Sequence, residues 1–266
     1  MSRLLVCPPD HYRIAYEINP WMHLEGQADP TVARVQWDAL TAILEKECGA
    51  TLERMVPVAG LPDLVFTANG GAVMGRTAVL SRFRHPERRP EEPHFEGWFR
   101  EQGYQVEHLP EGIFFEGAGD FLGFEDVWFG GYRQRTDLRA YQVVGAFVGR
   151  RILPVELVDP RFYHLDTCFC PLPGGELIWF PPAFDRYGKA VIMDWVEGPR
   201  RIAVPEEEAV RFACNAVCVG RHVVLPEGCP VTMERLESFG YTPHAVGLSE
   251  FIKSGGAAKC LTLALD

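Results

Sequence analysis

The stretch Asn69-Gly70-Gly71-Ala72-Val73-Met74-Gly75-Arg76-Thr77-Ala78-Val79-Leu80 reads as a β-hairpin. Two apolar runs flank the turn residue Gly75, and a polar residue with paired glycines leads into the first run. The pattern recurs from Asp120 through Phe121-Leu122-Gly123-Phe124-Glu125-Asp126-Val127-Trp128-Phe129. It returns at Asp166-Thr167-Cys168-Phe169-Cys170 with Leu177-Ile178-Trp179-Phe180, and at Asn215-Ala216-Val217-Cys218-Val219 with His222-Val223-Val224-Leu225-Pro226. A fifth copy is split across the ends of the chain, Cys260-Leu261-Thr262-Leu263-Ala264-Leu265 and Leu4-Leu5-Val6-Cys7-Pro8. The leading positions 69, 120, 166, 215 and 260 are 51, 46, 49 and 45 residues apart. That period predicts five copies of one supersecondary unit, closed into a ring by pairing the last strand with the first.

Helical periodicity fills the intervals, over residues 33–48 (apolar Val35, Leu40, Ile43 and Leu44), 96–102, 138–147 and 233–239. Each repeat is therefore expected to run strand, strand, helix, strand, with the helices outside the ring. The fold class is α/β, in one domain over residues 1–266. In such a ring Asn69, Asp120, Asp166 and Cys260 each begin an equivalent strand and gather at one end of the axis. Glu116 and His164 precede two of them.

Composition narrows the function. A chain of 266 residues with 47% hydrophobic and 23% charged residues is ordinary globular protein. A net charge of −10 disfavours polyanionic partners, and the basic cluster at residues 82–89 is too short to reverse that. A small molecule is the expected partner, with no nucleic acid and no membrane; homo-oligomerisation stays open. The apolar run at residues 4–6 is too short for a signal sequence, and no stretch reaches 18 uninterrupted apolar residues, so a cytoplasmic protein is expected. The eight cysteines are then read mainly as core thiols. Cys214, Cys218 and His222 lack a Cys-x-x-Cys pair and are read as core rather than as a zinc site. Gly117-Ala118-Gly119 lacks the third glycine of a dinucleotide loop. No metal and no cofactor is expected.

Cys260, behind the small residues Gly255-Gly256-Ala257-Ala258, is placed to act as a nucleophile, and His164 and Glu116 supply the base and carboxylate that a thiol needs at neutral pH. These residues resemble the guanidine-modifying enzymes of the pentein, or α/β-propeller, fold. That family includes arginine deiminases, dimethylarginine dimethylaminohydrolases, amidinotransferases and arginine dihydrolases. The resemblance runs over nearly the whole chain. Its elements are Asn19-Pro20-Trp21-Met22, Pro62-Asp63-Leu64-Val65-Phe66-Thr67-Ala68-Asn69, Phe115-Glu116-Gly117-Ala118-Gly119-Asp120, Arg133-Gln134-Arg135-Thr136-Asp137, His164-Leu165-Asp166 and the stretch ending in Cys260. It implies five pseudo-symmetric ββαβ repeats around a central axis, with Cys260 as nucleophile and His164 as acid and base. Glu116 and Asp63 would grip a guanidinium, and Arg135 and Arg88 would bind the α-carboxylate of the substrate. Asn19, Asn69, Asp120 and Asp166 complete the expected substrate site.

The chemistry suits those roles. Carboxylates hold a guanidinium's N–H forks in bidentate pairs and fix its carbon near the sulfur. Lys259 should face away from Cys260, leaving the substrate's own charge to stabilise the thiolate. Asn69 stands where deiminases and dimethylarginine hydrolases carry a second aspartate. A neutral amide both donates and accepts, so it suits a ureido group as well as a guanidinium. With Asn19, this most resembles the arginine dihydrolases, which take L-arginine to ornithine, carbon dioxide and two ammonia. Single hydrolysis of arginine or a related guanidino or ureido compound, and amidino transfer, are the alternatives. A non-catalytic binding protein of the same fold is the remote one.

Overall fold

The computed structural model describes residues 2–265. In chain order the first strands and helix are β1 (Arg3–Val6), α1 (Pro30–Ala42) and β2 (Thr51–Arg54). The next unit holds β3 (Gly71–Met74), β4 (Thr77–Leu80), α2 (Glu92–Glu101) and β5 (Gln105–Glu107). The third holds β6 (Phe121–Phe124), β7 (Val127–Tyr132), α3 (Ala140–Val148) and β8 (Ile152–Glu156). The fourth holds β9 (Phe169–Pro171), β10 (Leu177–Trp179), α4 (Arg186–Trp195) and β11 (Arg201–Ala203). After the short α5 (Glu206–Ala209) come β12 (Val217–Val219), β13 (His222–Pro226), α6 (Pro230–Ser238) and β14 (Thr242–Val246), then α7 (Ser249–Ile252) and β15 (Leu263–Ala264).

The strands form five three-stranded sheets of one design. In each, two strands pair antiparallel and the third runs parallel to the second, as with Gly71↔Leu80 and Thr77↔Gln105. A parallel third strand needs a crossover, which the intervening helix supplies. The fifth sheet is the one split across the ends of the chain: Leu5 pairs with Leu263 antiparallel, and Leu4 with Leu52 parallel. The expected ββαβ repeat and its closure are therefore present.

The first strand of each repeat lies at one edge of its sheet, and these five edges converge. A cavity of about 290 Å³ is lined by residues from all five, among them Ala72, Leu122, Phe169, Val217 and Leu263. The loop between β9 and β10 spans residues 172–176, but the other three hairpins are tight because their loops have only two residues. The first of these takes positive φ at Gly75 (59°) and Gly220 (57°), where a glycine costs nothing. The third unit puts Glu125 there instead, at φ 50°.

The helices pack their apolar sides on the sheets. α2 buries Phe95 and Phe99 completely, each stabilising by about 1.5–3 kcal/mol. Two helix starts are capped by aspartate: Asp29 accepts from Thr31 N and Val32 N, and Asp185 from Tyr187 N and Gly188 N. Each cap contributes about 1 kcal/mol.

Three expectations need correcting. The helices over 96–102 and 233–239 begin earlier, at Glu92 and Pro230, because proline fits the first turn of each. No helix was expected in the fourth unit, yet α4 is there, with Tyr187, Val191, Ile192 and Trp195 at helical spacing. The run 260–265 is a strand only at Leu263–Ala264, and Cys260 lies on the turn before it. Asn69 and Asp166 likewise sit on 3-10 turns ahead of their strands, and Asp120 closes another. Among the described residues no helix is long and apolar enough to cross a membrane.

Candidate active site

These pre-strand turns bring the expected residues together. Asn19, Asp63, Asn69, Arg88, Arg135 and Cys260 line one small cavity of about 10 Å³, room for roughly one water. His164, Glu116 and Asp166 stand immediately behind it, all buried. The larger apolar cavity on the ring axis has no carboxylate in its wall, although Lys259 does line it. Lys259 thus lines the axial cavity rather than the catalytic one, yet, contrary to expectation, its charge is near enough to pull Asp166 and the Cys260 thiol partly down.

Cys260 is held from two sides. Asn215 Nδ2 donates to its Sγ at 3.1 Å, and both Asp166 oxygens lie 3.5–3.6 Å from the same sulfur. Asn215 Oδ1 accepts from the backbone N–H of Ala257 and of Cys260 itself. Burial first, and then the Asp166 charge, push the Cys260 thiol well above its usual range, so it is protonated. Asp166 itself is lifted to about 7 by burial. A cation entering the cavity would favour the thiolate.

The proton on His164 can be assigned from its neighbours. Arg88 Nη1 donates to Asn69 Oδ1 at 2.8 Å, which turns Asn69 Nδ2 toward His164 Nδ1, 3.5 Å away. Nδ1 is therefore the acceptor, and Nε2 carries the proton and donates to Glu116 Oε2 at 2.7 Å. Burial pulls the His164 pKa down to about 4, so the ring is neutral and its Nδ1 is a free base. Burial alone would raise the Glu116 carboxyl, but Arg135 and then His164 outweigh it and hold it far below the usual range. Besides His164, Glu116 accepts from Arg135 Nη1 at 3.1 Å and Arg84 N at 3.2 Å.

The arginines are fixed before any substrate arrives. Arg88 makes a bidentate pair with Glu91, at 2.9 and 2.8 Å, and also donates to the Asp63 carbonyl. Arg135 lies over the Tyr163 ring at 4.5 Å and donates to the Ile18 carbonyl. One carboxylate oxygen is left over. Asp63 Oδ1 is buried without a close hydrogen-bond partner among the described residues, although the equally unpartnered Tyr16 hydroxyl is near enough to pull the carboxyl down. Burial raises the Asp63 carboxyl, with Arg88 pulling it partly back. An orphaned carboxylate oxygen in the wall of a cavity that also holds Cys260 is the mark of a site for a donor-rich cation.

Asn19 is on the cavity wall, but its amide is committed: Nδ2 donates to the Ser254 carbonyl and Oδ1 accepts from Trp21 N. Asp120 does not line the cavity. Its two oxygens accept from Thr136 Oγ1 and Leu165 N, which anchors the segments carrying Glu116 and His164. Three contributors were missed. Asn215 stood at a leading position of the repeat, and that signal could have found it. Tyr163 supports Arg135 and donates to the Gly255 carbonyl, with no signal in its neighbourhood. Gly119 is the third: a Cβ there would come within 2.4 Å of Asn69 Nδ2 and 3.4 Å of the His164 ring. Gly117-Ala118-Gly119 is thus the small-residue turn that lets Asn69 and His164 approach.

No family model matches the sequence. The bifunctional arginine dihydrolase/ornithine cyclodeaminase ArgZ of Synechocystis is 46% identical over 98% of the chain, which spans only 37% of that relative's length. The N(G),N(G)-dimethylarginine dimethylaminohydrolase of Mycobacterium tuberculosis is 38% identical over 98% of this chain and 85% of its own. A crystal structure of the N-terminal domain of ArgZ, an asparagine-to-serine variant covalently bound to a reaction intermediate, superposes with a TM-score of 0.96 at 44% identity, covering 100% of this chain and 98% of that one. Sequence, fold and the arrangement around Cys260 agree, and the chain belongs to the guanidine-modifying enzyme family that includes the arginine dihydrolases and the dimethylarginine dimethylaminohydrolases.

Proposed function

We propose that this chain hydrolyses L-arginine twice, to ornithine, carbon dioxide and two ammonia, through covalent intermediates on Cys260. The Cys260 thiolate attacks the guanidinium carbon and forms a C–S bond. His164 Nδ1, having taken the thiol proton as Cys260 ionised, passes it to the departing ammonia, leaving a thiouronium. A water deprotonated by His164 adds to that carbon and expels the thiolate, giving the ureido product, citrulline. In the second round the thiolate attacks the ureido carbon and a second ammonia leaves. Water cleaves the resulting thiocarbamate, and the carbamate loses carbon dioxide to give ornithine. Asp63 and Glu116 orient the guanidinium, and Arg135 and Arg88 the α-carboxylate. The thiolate is the nucleophile, so turnover is expected to survive chelators.

The observation that carries the second hydrolysis is Asn69. Its amide lines the cavity beside Cys260, with Oδ1 fixed by Arg88 and Nδ2 making only the long 3.5 Å contact to His164. That N–H is available to a neutral ureido oxygen, as an aspartate would not be. The covalent intermediate held by an asparagine-to-serine variant of the ArgZ domain supports the reading. The eight free cysteines fit a reducing cytoplasm.

The test is product analysis with arginine. Two ammonia and one ornithine per arginine are expected, and Asn69→Asp should let citrulline accumulate. One ammonia per arginine, with citrulline released by the wild type, would instead support single hydrolysis. Turnover of methylated arginine but not arginine would do so in the manner of the Mycobacterium relative, and transfer to an added amine would indicate an amidinotransferase.

A further inference from the structure

Away from the catalytic cavity, three side chains of metal-ligand type meet between the split unit and the sheet of β13 and β14. The parallel register pairs His222 with Thr242 and Val224 with His244, so the two histidines share one face of the sheet. Their rings stack with centroids 5.1 Å apart, and His222 Nδ1 lies 2.9 Å from His244 Nε2. Cys48, which ends the π-helical turn Ile43–Glu47 after α1, comes over the pair. Sγ and the two imidazole nitrogens all lie within 4.8 Å of one another. All three residues are half-buried, within reach of solvent yet held by packing. This set differs from the Cys214, Cys218 and His222 grouping weighed in the sequence, because Cys218 Sγ turns instead to Cys170, 3.8 Å away.

We propose that Cys48, His222 and His244 bind one zinc-like divalent cation, with water completing a tetrahedron. Zn–N bonds of about 2.0–2.1 Å and Zn–S bonds of about 2.3 Å put tetrahedral ligand atoms roughly 3.3–3.7 Å apart, so the cluster needs only small side-chain shifts. One thiolate and two imidazoles select a borderline or soft metal over magnesium or calcium, which want oxygen. Cys48 binds as the thiolate and both rings as neutral imidazoles. Binding releases the one thiol proton. The proton now shared between the rings stays on its ring by moving to the outer nitrogen. The cation would pin the end of the α1 segment to β13 and β14, locking two neighbouring units of the ring. The inference does not depend on the reaction at Cys260.

The test uses the full chain, freed of metal and titrated with Co2+ and then Zn2+. One equivalent of Co2+ should give a tetrahedral d–d spectrum with a thiolate-to-cobalt charge-transfer band. Zn2+ should displace it, with about one proton released per metal. The band should persist in Cys260→Ala and in Cys218→Ala and vanish in Cys48→Ser. His222→Ala and His244→Ala should each weaken binding at least tenfold, and Zn2+ should raise the Tm of the wild type but not of these variants. A band that survives Cys48→Ser or disappears in Cys260→Ala, or a six-coordinate Co2+ spectrum without charge transfer, would overturn the proposal.

Discussion

Asn215 grips Cys260 at both its side chain and its main chain: Nδ2 donates to Sγ at 3.1 Å while Oδ1 accepts from the Cys260 N–H at 3.1 Å. One amide therefore sets both where the sulfur sits and how well it bears negative charge. Asn215→Ala should lower kcat for arginine by about 10–100-fold, the worth of a hydrogen bond to a charged group at about 1.5–3 kcal/mol. KM should change little. Inactivation by iodoacetamide as a function of pH should show a higher thiol pKa in the variant. An unchanged thiol pKa would reduce Asn215 to a packing role.

Cys260→Ser should abolish turnover with the fold intact by circular dichroism, and Cys168→Ser should not. Mass spectrometry of quenched wild-type reactions should find the adduct on the peptide containing Cys260. Substantial activity in Cys260→Ser would end the covalent mechanism.

Gly119→Ala tests the approach of Asn69 to His164. A methyl there meets the Asn69 amide at 2.4 Å, so that side chain must move, and a displacement of this size costs on the order of 100-fold in rate. Ala118→Gly, next door, should be close to wild type. Equal rates for Gly119→Ala and wild type would show that the contact does not matter.

Asp166 should leave a pH signature on stability. Its folded pKa is lifted to about 7, above the roughly 3.9 of an unfolded aspartate, so the stability it permits is fully present below about pH 4 and is lost as pH rises through 7. His164 acts in the opposite direction: its pKa is depressed to about 4, so stability is lost as pH falls through that value. The two are separated by comparing wild type with Asp166→Asn. The stability advantage of the variant in urea melts should grow from pH 4 to 7 and then level off. A difference independent of pH would contradict a raised Asp166.

Arg135→Ala should reduce turnover of arginine more than that of agmatine, which lacks the carboxylate. Equal losses would assign Arg135 to holding Glu116 and Tyr163 alone.

The ring was legible because its evidence is periodic: five polar or thiol leaders, four apolar hairpins and a fifth unit divided between the ends. The leaders also pointed to the site, since Asn69, Asp166 and Cys260 meet as their spacing implies. What sequence could not convey was how tightly each polar atom is engaged. Nothing near Asp120 shows that its oxygens serve Thr136 and Leu165, and nothing near Arg88 shows that Glu91 takes two of its donors. Gly119 was discounted as a phosphate-loop glycine because its real constraint, the Asn69 amide, is distant in the chain. Helix α4 was legible too, since Tyr187, Val191, Ile192 and Trp195 recur at helical spacing behind the Asp185 cap.

The pairing of Leu4 with Ala264 also bears on how the protein folds. β1 can find β2 early in synthesis, but its other edge stays open until the last of these strands emerges. Contacts of such long sequence separation slow folding, because the entropy of closing the whole chain is lost before the pairing repays it. During that wait β1 presents an unpaired apolar edge open to wrong partners. The turn carrying Cys260 leads directly into β15, so the nucleophile reaches its place in the same late step that shuts the ring. Refolding rate and recovery of active-site thiol reactivity should therefore follow a single time course.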